Sequence, residues 1–176
     1  MSNDREPYLV LTERLELRVV GPEDLDALYT LNSDPEVWRH DPAGRHTSPV
    51  ITKAWIERCT DHWESDGLSY WMARHRNTGE LIGVGGAQRH EPGFWNLYYR
   101  LAHAHWGKGY ATEISRAAVR VAGQHDPELP VVAWILAHNT GSRAVAERLG
   151  LHDYGLRPEP GKSEPMHAYA DRLLPF

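Results

Sequence analysis

The run His105-Trp106-Gly107-Lys108-Gly109-Tyr110-Ala111-Thr112-Glu113 gathers the residue types that hold a phosphate. It stands where an alternating, strand-like stretch ends and a helical pattern begins, with Ile114, Ala117, Ala118 and Val121 on one face. The first turn of a helix has N–H groups without intrahelical partners and the positive end of the dipole, so an anion is favoured there. Gly107 and Gly109 let the backbone approach a pyrophosphate with no Cβ between, and Lys108 adds positive charge. A bare Gly-x-Gly also serves as a tight turn at a helix entrance, which needs no ligand. Two more specific phosphate motifs fail on their letters. A P-loop needs glycine where Ala102 stands and Ser or Thr where Gly109 stands. A dinucleotide fingerprint needs a small residue at Thr112 and opens a βαβ unit, whereas this run follows an antiparallel meander.

The second informative run is Asn139-Thr140-Gly141-Ser142-Arg143-Ala144-Val145-Ala146-Glu147-Arg148-Leu149-Gly150-Leu151. Asn139 can cap its own helix and Gly150 can end it in the left-handed region, which again requires no function. His103 and His105, two apart, could share a strand face, and Cys59 and His62 form a C-x-x-H pair on a helix. Neither pair has the further close partners that a metal site needs, so no metal is expected. Trp55, Trp63, Trp71 and Trp134 occupy apolar-periodic positions and read as core.

These runs need elements to position them. Residues 8–20 read as a strand. Gly21, Pro22, Glu23 and Asp24 then start a helix, with proline at its first position and acids at the positive end of the dipole. A second helix begins after Ser48 and Pro49, where Ile51, Trp55, Cys59 and Trp63 recur every fourth residue, and ends near Gly67. The periodicity then switches to strands over 68–76, 80–90 and 94–102, joined by short Gly-containing turns, an antiparallel meander. In the third strand Trp95, Leu97, Tyr99 and Leu101 share one face, and Asn96, Tyr98 and Arg100 the other. A helix over 109–123, a strand over 131–137, a helix over 139–149 and strands near 151–156 and 166–173 complete an α+β chain. Its sheet is mixed and mostly antiparallel.

The chain has 176 residues, 41% hydrophobic and 24% charged, with a formal net charge of −5, which suits one domain over residues 1–176. Mild acidity without a basic run argues against nucleic acid. The longest apolar run, Val131 to Ala137, is far below the roughly 20 residues of a membrane span, and the N-terminal MSNDREPYLV has no apolar signal core. No membrane association is expected, and the expected location is the cytoplasm. The single Cys59 excludes an internal disulfide and fits a reducing compartment.

Together and in this order, the two runs resemble the GNAT superfamily of N-acetyltransferases. Leu11-Thr12-Glu13-Arg14-Leu15, Asn32-Ser33-Asp34-Pro35-Glu36-Val37-Trp38 and Trp106-Gly107-Lys108-Gly109-Tyr110-Ala111-Thr112-Glu113 look like its RimJ/RimL-like branch, which acetylates ribosomal-protein N-termini and diverse small amines. The resemblance covers nearly the whole chain. It implies the acyl-CoA N-acyltransferase fold, acetyl-CoA as co-substrate, an amine acceptor and a monomer or homodimer.

By that resemblance, the strand before the Gly-rich turn splays from its neighbour, and Tyr99, Leu101 and His103 hold the pantetheine and thioester. Gly107, Lys108, Gly109, Tyr110, Ala111 and Thr112 hold the pyrophosphate, and Asn139 and Arg143 lie along the pantetheine arm. The family's tyrosine on the last helix falls at Ala146, which leaves Ser142 as the proton donor to the departing thiolate. Asn96 cannot serve as a base, and His90, Glu91 and His103 are the candidates. Trp38, Arg39 and His40 fall where the fold forms its acceptor pocket. The competing reading is an acyl-CoA-binding module that has lost turnover.

Overall fold

The computed structural model describes residues 8–162 and 164–174; the polar opening, residues 1–7, lies outside them, as does Ser163. Two short strands open the fold, β1 (Val10–Leu11) and β2 (Leu15–Val19), followed by the helices α1 (Leu25–Ser33) and α2 (Pro49–Asp66). The meander β3 (Tyr70–His75), β4 (Leu81–His90) and β5 (Phe94–Leu101) comes next. Then come α3 (Tyr110–His125), β6 (Val131–Ile135), α4 (Thr140–Arg148) and the hairpin β7 (His152–Pro158) and β8 (Pro165–Ala170). The strands form one sheet in the order β1-β2-β3-β4-β5-β6-β8-β7. Every pair is antiparallel except β5–β6, which α3 connects as a parallel crossover.

Two expectations change. The strand over 8–20 is broken, because Thr12 and Arg14 turn the chain and give their N–H and side-chain donors to Glu113 of α3 and to Leu15 instead of to a ladder. On α2 the buried stripe is Thr52, Ile56, Cys59 and Trp63, while Ile51 is 41% exposed. The helix is rotated by one position because the Thr52 hydroxyl meets His46 Nδ1 at 2.9 Å inside the protein.

Each face of the sheet carries its own core. Leu15, Leu17, Trp71, Trp95, Leu97 and Leu101 pack with Ile114, Ala117 and Ala118 of α3. On the opposite face Leu28 and Leu31 of α1 and Ile56 and Cys59 of α2 pack with Tyr70, Met72 and Val84. The alternation along β5 therefore sorts its side chains between two layers: Leu97 and Leu101 go to α3, and Tyr98 to the α1–α2 layer. Gly85 makes the close fit of α3 possible, since a Cβ there would lie 2.8 Å from the Tyr98 carbonyl oxygen and 3.0 Å from Ile114.

Candidate active site

The parallel pairing of β5 with β6 stops after Trp95↔Val131 and Asn96↔Val132, and beyond it the two strands separate. The Trp95 N–H still donates to the Pro130 carbonyl, at 2.8 Å. Backbone direction alternates along a strand, so Leu97, Tyr99 and Leu101 turn their N–H and C=O groups toward the gap that β6 has vacated. The Leu101 carbonyl is taken by the Trp106 indole N–H, at 3.0 Å. Around this gap lies a cleft of ≈ 660 Å³ that reaches from the α1–α2 linker to the first turns of α3 and α4.

At one end of the cleft α3 begins. Gly107 and Gly109 have φ of 72° and 83°, a left-handed backbone that glycine adopts without strain. The first intrahelical bond is Glu113 N–H to Gly109 C=O, which leaves the amides of Tyr110, Ala111 and Thr112 without helical acceptors. Gly107, Gly109, Tyr110, Ala111 and Thr112 line the cleft; Lys108 does not and is exposed, and its carbonyl accepts from Arg14 at 2.9 Å. Glu113 clamps the turn from behind, accepting from Thr12 Oγ1 at 2.6 Å and from Arg14 N and Nε at 2.7 Å. Burial alone would raise the Glu113 carboxyl, but these bonds and the Arg14 charge hold it below its ordinary value. The Thr12-Glu13-Arg14 and Gly-rich segments are thus two halves of one clasp.

α4 presents Asn139 and Ser142. Asn139 Oδ1 accepts from the Ser142 N–H at 3.1 Å, so it caps the helix while also lining the cleft. Ser142 faces the Tyr99 hydroxyl, which is buried without a well-formed hydrogen bond; burial pushes that phenol up and the Ser142 side chain partly offsets the rise. Ala146 lines the same wall. Arg143, expected along the pantetheine arm, turns away: its Nε donates to Tyr169 Oη at 3.1 Å and its Nη2 lies 3.8 Å from Asp153. Those partners belong to β7 and β8 and draw it out of the cleft.

The expected base residues and Trp38 are placed outside the cleft, whereas Arg39 and His40 are not. His103 is exposed in a 3-10 turn, His103–His105, its ring edge-on to Trp106, because β5 ends at Leu101; it does not line the cleft. His105 does, 8% exposed and 3.3 Å from Glu80. Glu91 is exposed in the β4–β5 turn, in a separate surface pocket with His62, Asp66 and His90. Trp38 is 6% exposed and covered by Gly44 and by the Arg100 guanidinium, 3.5 Å from its ring, so its indole is core. Arg39 and His40 do line the cleft, and so does the half-buried Trp134, expected in the core.

Glu159, not foreseen, is a carboxylate 8% exposed at the end of β7 that lines the cleft near Asn96 and accepts from Lys162 at 2.7 Å. Its neighbourhood is aromatic and polar: Asn96 donates to the Tyr70 hydroxyl at 3.0 Å, and the Tyr70 and Tyr98 rings lie 5.0 Å apart. The signal available in the sequence was an acid between prolines at the strand boundary, which does not by itself point inward. Cys59 is 1% exposed with its thiol pushed up to about 12 by burial, so it offers no nucleophile. Among the described residues no group of three or more His, Cys, Asp or Glu is placed to hold a metal ion, and no helix is long and apolar enough to cross a membrane.

Residues 14–152 match a family described as acetyltransferase (GNAT) domain. The uncharacterized protein YkkB of Bacillus subtilis is 29% identical over 147 residues, 81% of this chain and 84% of YkkB. Among solved structures, an acetyltransferase from Agrobacterium tumefaciens superposes with a TM-score of 0.77 at 28% identity, covering 94% of each chain. RimL, a ribosomal L7/L12 alpha-N-protein acetyltransferase in complex with coenzyme A, shares the fold, with a TM-score of 0.74 at 18% identity over 92% of this chain and 96% of that one.

Proposed function

The chain belongs to the GNAT acetyltransferase family, and from that premise we propose that it transfers an acetyl group from acetyl-CoA to a primary amine by direct attack within a ternary complex. The observation that carries this reading is the splay between β5 and β6, whose free backbone groups lead to the uncapped amides of α3. A pantetheine arm is a string of amides and needs such an unpaired strand edge, and a pyrophosphate needs such a helix entrance. Gly107, Gly109, Tyr110, Ala111 and Thr112 would hold the pyrophosphate, and Leu97 and Tyr99 the pantetheine. Acetyl-CoA supplies an activated acyl carbon on a good leaving group.

Glu159 takes the proton that the attacking nitrogen must lose, and its buried position keeps it within the cleft rather than in bulk water. The nitrogen bonds to the acyl carbon, and the N–H groups of Leu97 and Tyr99 stabilise the negative oxygen that develops. The C–S bond breaks as the Ser142 hydroxyl donates toward the thiolate, with the buried Tyr99 phenol behind it. Cys59, deep in the α2 layer, forms no acetyl intermediate. The polar acceptor end is compatible with the RimJ/RimL-like branch, with a protein N-terminus or a small amine as acceptor and a cytoplasmic setting.

A second reading, an acyl-CoA-binding module without turnover, is favoured by Ala146 standing where a tyrosine is expected. Initial rates of coenzyme release with both substrates varied separate the readings. Intersecting lines are expected; parallel lines or an acetylated protein would overturn direct attack, and no release with any amine of a broad panel would leave the binding module.

A further inference from the structure

The acceptor half of the cleft is electrically lopsided. Glu159, paired with Lys162, lies near Tyr70 and its partner Asn96, while Arg39 and Arg100 line the cleft beside His40. Arg100 is held in place: its Nη1 donates to the Val37 carbonyl and its Nε to the Tyr98 hydroxyl, both at 3.3 Å, and its guanidinium lies over the Trp38 ring. Neither contact neutralises it, and three of its five N–H donors remain for another partner. Arg39 lies 4.7 Å over the Trp106 ring, and its side chain has no hydrogen bond or ion pair among the described residues. Asp41, the carboxylate on the same linker, also lines the cleft, with Oδ2 beside Gly44, and among the described residues it forms no ion pair with either arginine. The uncompensated charge is felt by His40, which is depressed below its ordinary value first by burial and then by Arg39, His138 and Arg100. Cations that line a partly dehydrated cleft without counter-ions are placed for a counter-ion that arrives with a ligand.

At Arg100 that ligand is not the coenzyme's pyrophosphate. Arg100 shares the face of β5 with Asn96 and Tyr98 and reaches into the α1–α2 layer, whereas the free amides of α3 lie on the Leu97–Leu101 side of the sheet. Resting on the acetyltransferase reading above, we propose that the acceptor is a small zwitterion: a primary amine that also carries a carboxylate or phosphate, bound with its nitrogen toward Glu159 and its anion on Arg39 and Arg100. Asn96 and Arg100 are four residues apart, about 13 Å along the strand, so the anion belongs several bonds from the nitrogen. The same field disfavours a plain ammonium, which meets two positive charges with nothing to offer them.

The test uses probe pairs that differ in charge: glycylglycine against glycylglycinamide, and O-phosphoethanolamine against ethanolamine. Coenzyme release gives kcat/KM for each, and calorimetric binding of the same four probes gives an answer that needs no turnover. The charged member of at least one pair should be preferred about 10- to 100-fold, the range of a charge-assisted hydrogen-bond pair, and which pair responds separates carboxylate from phosphate. In Arg100→Gln that ratio should fall toward unity while stabilisation by acetyl-CoA persists; Arg39→Gln, at an exposed position, provides the same reading should Arg100→Gln not fold. Equal rates or equal binding within both pairs overturn the zwitterion. Loss of acetyl-CoA stabilisation in the arginine variants with the charge preference intact assigns the cations to the coenzyme and also overturns it. Failure of the acetyltransferase reading looks different: acetyl-CoA neither stabilises the protein nor releases coenzyme with any amine, while the calorimetric comparison still decides the charge preference.

Discussion

The two ends of the cleft are built from different materials. At the α3 end the groups proposed to meet the coenzyme are backbone amides of one short run, Gly107 and Gly109 to Thr112, steadied from behind by Glu113, Thr12 and Arg14. At the end proposed for the acceptor they are side chains from three separate stretches: Arg39 and His40 from the α1–α2 linker, Asn96 and Arg100 from β5, and Glu159 from the β7–β8 hairpin. A backbone site tolerates changes of side chain as long as the turn keeps its shape. A side-chain site depends on each residue separately. The first arrangement suits a ligand that stays the same, and the second suits one that differs from protein to protein.

Substitutions should break the two ends in different ways. The largest effect is expected at Gly109→Glu, which forces a side chain onto a φ of 83° and brings a negative charge to the pyrophosphate amides. Acetyl-CoA affinity should fall by about 100-fold or more in a folded protein, about 3 kcal/mol, read by calorimetry. Unchanged affinity would remove the phosphate from α3. Next, Glu159→Gln should lower kcat by about 100-fold or more with coenzyme affinity retained. An unaltered kcat would remove Glu159 from the proton transfer. Ser142→Ala should cost about 10-fold in kcat and little in the KM for acetyl-CoA, because the interaction belongs to the departing thiolate. An unaltered kcat would make Ser142 a wall residue.

The last effect concerns the clasp and is read in stability. The Glu113 carboxyl is depressed in the folded protein, so its contribution to stability is complete above the ordinary carboxylate value and is lost as pH falls through the lower folded one. Glu113→Gln should therefore cost about 1 to 3 kcal/mol at neutral pH, and less as the wild type is acidified, in chemical unfolding. An equal loss at low and neutral pH would show that shape matters there rather than charge.

The same contrast explains what could be read in advance. Local periodicity located α2, the β3–β5 meander, α3 and α4, since each carries its pattern within its own residues. The Gly-rich entrance and the Asn139 cap were legible for the same reason. The break in the first strand was not, because it depends on Glu113, 99 residues from Arg14. Nor was the outward turn of Arg143, decided by Tyr169 and Asp153 on the last hairpin. Glu159 became visible only once the hairpin was folded against β6, and Trp38 lost its place in the pocket because Gly44 and Arg100 cover it. Residues that act through their neighbours in sequence can be read from spacing, and those that act across the fold cannot.

The central claim is that the gap between β5 and β6, with the entrance of α3, holds an acyl coenzyme A. Thermal unfolding with and without acetyl-CoA tests it most directly. At about 100 times the dissociation constant the ligand should add roughly 2.7 kcal/mol, a rise in Tm of about 5 to 11 °C for a chain of this size. The rise should vanish in Gly109→Glu. No rise in the wild type, or the same rise in both proteins, would contradict the assignment of the cleft.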